Sequence, residues 1–233
     1  MDGARRGAGR DAMTLSAQVI VFAKAPVAGQ AKTRLIPALG AAGAAALAER
    51  LLDHAVAQAV AARLGRVELC VAPSTAHPAF QRLQARHSLR LTRQSRGDLG
   101  QRMHRALARA LSGAPAGTPR GDARVLLIGS DAPALNAAVL RAAAAALADA
   151  DVVLVPALDG GYVLIGLRRP APALFAGVAW STGQVLAQTR QRAAAAGLRL
   201  VELPALSDID EPADLVQLQH LLPAHPPPAR HPA

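Results

Sequence analysis

Residues 19–35 read Val-Ile-Val-Phe-Ala-Lys-Ala-Pro-Val-Ala-Gly-Gln-Ala-Lys-Thr-Arg-Leu. Val19, Ile20, Val21 and Phe22 form an unbroken apolar run, the pattern of a strand covered on both faces of a parallel sheet. The run stops at Lys24. Pro26 and Gly29 then impose a loop, and Lys32 and Arg34 place two cations just beyond it. A buried strand that ends in a cationic loop is a common way to hold a polyphosphate. The rest of the chain can be read by asking what serves this loop.

Outward from it, the pattern alternates. The first strand covers about residues 18–23, and an Ala-rich helix is expected over 39–63, with Leu47, Leu51, Val56 and Val60 near core spacing. Strands follow at 67–71 and 89–92, separated by a short helix at 78–86. A turn at 94–100 runs into a helix that ends near Ser112, and residues 113–122 form a surface loop. A second strongly apolar strand, 125–128, runs into Gly129-Ser130-Asp131-Ala132-Pro133. Asn136 can cap a helix over 136–149. Strands are expected at 151–156, 163–167 and 199–203, with a helix at 183–196. A last helix spans 212–221, for which Asp210 is a good N-cap and Pro212 suits the first turn. Residues 1–16 and the Pro-rich stretch 223–233 are expected to be disordered flanks of one domain, 17–222.

Strands alternating with helices mean right-handed crossovers and a mainly parallel sheet with helices on both faces, an α/β fold. Ligands of such sheets bind beyond the C-terminal strand ends. The loops after the first, third and fourth strands, and the Asp208–Asp210 segment after the seventh, can therefore face one cleft.

The 233 residues suit one sizeable domain, and 52% are hydrophobic, so a core is available. The formal charge of +10 invites a nucleic-acid reading, but aromatics make up only 2% and offer few stacking platforms. Most arginines are spread singly along helices, and an anionic small molecule suits the charge equally well. Cys70 is alone, which rules out a disulfide within the chain and is compatible with a reducing cytoplasm. No apolar run is expected to reach the length of a membrane span, and residues 1–16 lack the apolar stretch of a secretory signal. A cytoplasmic location is the expectation.

Neither a Walker loop nor a dinucleotide fingerprint is present. Gly29 and Ala31 let backbone approach a ligand, Lys32 offers a point charge, and Arg34 offers a fork for phosphate oxygens. At Asp131 two readings stand: a carboxylate at a strand end that holds a hard divalent cation, or a turn before Pro133. Asp208 and Asp210 can form a second acidic arm for metal, while Asp210 is equally a helix cap. Gly160 and Gly161, between Asp159 and Tyr162, permit close approach to a substrate or an ordinary hairpin. Trp180-Ser181-Thr182 can orient a substrate, or Trp180 can be core. The histidines are scattered, and Ser130 lacks a nucleophile elbow.

Together these residues resemble the GT-A superfamily of nucleotide-sugar-dependent glycosyltransferases and nucleotidyltransferases. The nearest likeness is a small bacterial family of glycosyltransferase-like proteins, formerly a domain of unknown function and also called selenodomain- or arsenosugar-associated transferase 1. The resemblance covers about residues 18–221. It rests on Phe22-Ala23-Lys24-Ala25-Pro26 with Lys32-Thr33-Arg34-Leu35, Asp98-Leu99-Gly100 with Arg102-Met103, and Gly129-Ser130-Asp131-Ala132-Pro133. It rests also on Asp159-Gly160-Gly161-Tyr162, Trp180-Ser181-Thr182 and Asp208-Ile209-Asp210-Glu211-Pro212. Lys32-Thr33-Arg34-Leu35 also looks like the Lys-Ser-Arg-Leu of phospholactate guanylyltransferases. Ala132 and Gln101 depart from the family's usual Cys and Glu.

The resemblance implies a GT-A fold and a divalent ion, Mg²⁺ or Mn²⁺, on Asp131 with Asp208 or Asp210. It implies a nucleotide site drawn from Phe22, Ala23, Lys24, Gly29, Lys32, Arg34, Gln94, Gly97, Asp98 and Ser130. Gly160, Gly161, Tyr162, Trp180, Ser181 and Thr182 would meet the substrate. The expected activity is transfer of a sugar from a nucleotide sugar to a small-molecule acceptor, with Lys32, Arg34, Asp131 and Asp159 as the catalytic set. Nucleotidyl transfer from a nucleoside triphosphate, or nucleotide binding without turnover, is the alternative.

Overall fold

The computed structural model describes residues 16–114 and 123–221. The expected flanks, Ser16 aside, and most of the 113–122 loop lie outside the described residues. The strands are β1 (Gln18–Lys24), β2 (Val67–Ala72), β3 (Arg90–Arg93), β4 (Val125–Ile128), β5 (Val152–Pro156), β6 (Tyr162–Leu167) and β7 (Leu200–Glu202). The helices are α1 (Ile36–Ala61), α2 (Pro78–His87), α3 (Leu99–Ser112), α4 (Ala137–Ala146), α5 (Val185–Ala195) and α6 (Leu215–Leu221).

The strands form one seven-stranded sheet in the order β3-β2-β1-β4-β6-β5-β7. β1 sits between β2 and β4, with Val21 opposite Leu69 on one side and Ile128 on the other. That central place explains its unbroken apolar run. Val19, Val21, Leu69 and Leu126 face one core layer with Leu52 and Val56 of α1, Phe80 of α2 and Leu140 of α4. Ile20, Cys70, Leu127 and Ile165 face the other, with Met103 and Leu107 of α3 and Ala193 of α5. Helices therefore cover both faces, as the alternating pattern predicts. Among the described residues only β6 runs antiparallel, to β4 and β5 alike. The Asp159–Gly161 turn is accordingly a hairpin joining neighbouring strands.

Three expectations change. First, α1 begins at Ile36, directly after a 3-10 turn at Thr33–Leu35, rather than at residue 39. Pro37 is accommodated in its first turn, where its missing N–H costs no helical bond, and Gly40 kinks the helix with φ 69°. Second, Asp210 does not cap the last helix. Glu211 precedes the 3-10 turn Pro212–Asp214, and the Asp214 carboxylate accepts from the Asp210 and Glu211 N–H groups at 3.0 and 2.7 Å. Asp210 is left free to turn elsewhere. Third, the helical stretch Thr33–Ala61 is long and apolar enough to cross a membrane by length and composition, with mean hydropathy 1.4. Its alanines raise that value while its leucines Leu47, Leu51 and Leu52 are buried in the core.

The cavity-bearing end of the sheet is fixed by bonds between loops distant in sequence. Ile209 N–H donates to the Asp131 carbonyl at 2.9 Å, setting the strip after β7 beside the loop after β4. The Gln94 amide donates to the carbonyls of Ala23 and Cys70 at 3.0 and 3.2 Å, joining the ends of β1, β2 and β3.

Gly166 shows how tightly the sheet is covered. A Cβ there would come 2.5 Å from Val153 Cγ1 and 2.6 Å from Leu126 Cδ2. Gly166→Ala is expected to destabilise the chain by about 1–3 kcal/mol through overpacking. Chemical denaturation checks this, and an unchanged midpoint would show that the layer can relax.

Candidate functional site

Beyond the C-terminal ends of β1 and β4 lies a cavity of about 460 Å³. Phe22, Ala23, Lys24, Lys32, Arg34, Gln94, Ser130, Asp131, Tyr162 and Asp210 all line it. These residues come from the first, third, fourth, sixth and seventh strand ends or the loops that follow them.

Its centre is an ion cluster. The Lys32 ammonium lies 2.9 Å from Asp131 Oδ1 and 2.8 Å from Asp210 Oδ1, and also donates to the Ile209 carbonyl. The Lys32 side chain is 7% exposed, whereas those of Asp131 and Asp210 are 47% and 43% exposed. Burial acts to lower the lysine pKa, but Asp131 and then Asp210 outweigh it and hold the ammonium charged, above its ordinary value. Lys32 is placed by an uncommon backbone, φ 47° and ψ 47°, at the start of the Thr33–Leu35 turn. Left-handed geometry at a non-glycine residue costs about 1 kcal/mol or more, and such strain collects at functional sites. Ser130 Oγ donates to Asp131 Oδ1 at 3.3 Å.

Lys24 and Arg34 also line the cavity, and among the described residues neither is in an ion pair. The cleft thus offers uncommitted cations beside a pair of carboxylates that share one cation. Tyr162 also lines the cavity. Burial holds its phenol well above the ordinary tyrosine value, against the opposing influence of the Thr189 hydroxyl.

Other expected site residues fall outside the lining. Gly29 supplies a turn with φ 80°. Asp98 caps α3, accepting from Gln101 N–H at 2.8 Å, and Gly97 before it takes φ 115°. Asp159 Oδ1 accepts from Gly161 N–H at 2.8 Å and stays exposed. Gly160 has a packing reason: a Cβ there would meet Gly183 O at 2.2 Å. Trp180 leans on Gly100, where an added Cβ would lie 2.4 Å from Nε1, and stacks near Phe175. The Thr182 hydroxyl donates to the Ala179 carbonyl at 2.7 Å, and Ser181 takes φ 63° beside it. Trp180 is thus packed on the start of α3 and Gly160 on Gly183, both outside the cavity lining.

Asp208 stands behind the ion cluster. Its carboxyl is pushed up to about 6, first by burial and then by the charges of Asp159, Asp210 and Asp131. Among the described residues, however, no three acidic, histidine or cysteine groups converge as a metal site. Sequence reasoning assigned no role to Arg102, Met103, Gln30 or Thr33, all of which line the cavity. Arg102 could have been found from its place one turn beyond Asp98. Its Nε donates to the Gly97 carbonyl at 2.7 Å, which turns the guanidinium toward the sheet end.

A seven-stranded sheet with one reversed strand, and a cleft at the parallel ends, define a protein built on the nucleotide-diphospho-sugar transferase (GT-A) fold. A Desulfovibrio desulfuricans G20 protein put forward as a nucleotide-diphospho-sugar transferase is 29% identical, over 84% of this chain and 83% of that one, with TM-score 0.73. Two more distant structures share the fold. They are the 4-diphosphocytidyl-2C-methyl-D-erythritol synthase of Anaerococcus prevotii (9% identity, 89% of this chain and 96% of that one, TM-score 0.56) and a cytidylyltransferase of Leptospira borgpetersenii (10%, 81% and 76%, TM-score 0.52). No curated protein matches. Residues 55–182 match the family described as an uncharacterized protein conserved in bacteria (DUF2064), and the chain belongs to that family.

The crowding at Asp208 has a measurable sign. Between the ordinary carboxylate value of 3.8 and about 6, the folded chain keeps a proton that the unfolded chain releases. This group therefore favours folding at low pH, and the contribution is lost as pH rises through about 6. Asp208→Asn is expected to stabilise the chain at pH ~7.5 by on the order of 1 kcal/mol after solvent screening, and by little at pH ~4. Denaturation at both values checks it, and equal effects would show that the Asp208 carboxyl is not raised by its burial and its acidic neighbours.

Proposed function

We propose that this chain is a nucleotide-sugar-dependent glycosyltransferase that moves a sugar to a small-molecule acceptor with a divalent metal. One observation carries the reading. Asp131 and Asp210 converge on a single cation position, within a cavity that is also lined by Lys24, Arg34 and Arg102, none of them in an ion pair among the described residues. The likeness to the Desulfovibrio protein supports the substrate class.

The donor set fits a hard metal ion. Mg²⁺ is commonly held by one or two carboxylates, with substrate phosphates and water completing the shell. Asp131 and Asp210 would hold it, with Asp208 behind them. Bound there, the ion would offset charge on the diphosphate leaving group. In the free chain the Lys32 ammonium fills that position, so Lys32 must shift for an ion to enter. Lys24 and Arg34 bind phosphate oxygens, Arg34 through two parallel N–H donors. Interactions that strengthen as charge grows on the leaving oxygens lower the barrier most. Asp159, beside Asp208 and open to solvent, is the candidate to accept the acceptor's hydroxyl proton. A cytoplasmic location belongs to this reading, supported by the buried free thiol of Cys70.

Nucleotidyl transfer uses the same groups and is favoured by one feature: Asp131 stands alone rather than in an Asp-x-Asp pair. The two reactions leave different products. Incubated with Mn²⁺ and a panel of nucleotide sugars, the chain is expected to release nucleoside diphosphate and free sugar by slow transfer to water, and Arg34→Ala or Asp131→Ala to slow this by about 100-fold or more. Pyrophosphate release from a nucleoside triphosphate and an acceptor, with nucleotide sugars inert, would replace the first reading by the second.

Lys32→Gln offers a separate check. It leaves two carboxylates facing each other, so the free chain is expected to lose about 1 kcal/mol. Mn²⁺ alone should then raise the unfolding temperature of the variant more than that of the wild type. Equal Mn²⁺ responses would remove the shared cation position from the argument.

A further inference from the structure

A second concavity of about 400 Å³ opens beside the cleft, lined by Ala72 and Pro73 after β2, by Arg93, Ser95 and Arg96 after β3, and by Arg102 and Gln94. Gln94 and Arg102 line both cavities, so the two adjoin. Three arginines line this annex, and among the described residues none of them is in an ion pair. The only acid between residues 93 and 102 is Asp98, which caps α3 and lies outside the lining. Arg102 is already oriented by its bond to the Gly97 carbonyl, and the backbone at Arg96 is held by Arg105 Nη1. Ser95 Oγ, in the same wall, is buried and has no hydrogen-bond partner.

Three arginines lining one concavity without counter-charges, beside an unsatisfied buried hydroxyl, suit an acceptor-rich anion. Buried polar groups are rarely left unpaired, and guanidinium forks match phosphate oxygens. We infer that the annex is a second anion subsite, which takes a phosphate group carried by a ligand that also reaches the cleft. Arg93, Arg96 and Arg102 would supply the charge and Ser95 a hydrogen bond. The subsite stands on the annex residues; its link to a nucleotide ligand rests on the reading of the cleft given above. It restricts the substrates to those with an anionic group at some distance from the diphosphate, on either the acceptor or the nucleotide.

The test is calorimetric titration of inorganic phosphate into the full chain at low ionic strength. Arg93→Gln/Arg96→Gln is expected to weaken phosphate binding by about tenfold or more, Ser95→Ala by a few-fold, and Arg34→Gln to leave this class of binding in place. All the substitutions are at exposed or partly exposed positions, and matched unfolding temperatures verify the fold. Phosphate binding unchanged in the double variant, or absent from the wild type, overturns the subsite. Saturating UDP, whose only anion is its diphosphate, is expected to leave this binding in place, and its loss would overturn a second subsite. A uridine diphosphate that carries a further phosphate on its ribose separates the two sources: competition assigns the annex phosphate to the nucleotide, and retained binding assigns it to a separate acceptor. Failure of UDP to bind would count against the cleft reading, while the double variant still decides the annex.

Discussion

The ammonium of Lys32, held between Asp131 and Asp210, joins three segments that are far apart in the chain. Lys32 is 178 residues from Asp210, and Asp131 follows a different strand again. The cluster closes the cavity-bearing end of the sheet much as the hydrophobic layers close its faces. Buried at one end and open at the other, it keeps the two carboxylates together at modest electrostatic cost. The left-handed backbone at Lys32 and the start of α1 immediately after it follow from the same requirement. The chain must turn sharply to bring that side chain back under the strand ends.

This arrangement also separates structural charge from functional charge. Asp151, at the opposite end of the sheet, is held low: burial works to raise its pKa, but the Arg199 N–H bond, Arg169 and Arg168 outweigh it. Glu68 is 1% exposed and meets Arg109, Thr92 and Gln18. Those groups are satisfied. At the cleft, by contrast, Asp208 is half-buried and crowded by like charges, and among the described residues Lys24, Arg34 and the annex arginines have no counter-ions. Uncompensated charge in a concave site is stability given up in favour of a ligand. Part of the chain's excess of basic residues is gathered in these two concavities, although composition alone reads equally as a solvated surface.

Much of the fold was legible because β1 and β4 are covered on both faces. A continuous apolar run of four residues admits few other readings, and the alternation with helices leaves few topologies. The Asn136 cap was legible for a similar local reason, and its side chain does accept from the Ala138 and Val139 N–H groups. The start of α1 was less so, since Pro37 and Gly40 look like breaks until packing carries the helix through them. Asp210 failed as a cap because Asp214, on the same turn, takes the backbone N–H groups instead. Competition between nearby acids for one helix start is decided by where the chain is pulled, and here Lys32 pulls Asp210 away.

The sequence by itself determined the α/β layering, the loop cations and the placing of Asp131 at a strand end. Each of these depends on residues adjacent in the chain and on periodicities that local sterics enforce. Only the tertiary structure decided that Lys32 is shared between Asp131 and Asp210, and that Trp180 packs on Gly100 and Gly160 on Gly183 instead of lining the cavity. It alone gathered Arg93, Arg96 and Arg102 around an unpaired serine. Those outcomes come from strand order and helix crossing, which bring distant residues within a few ångströms, and no local pattern encodes such a distance.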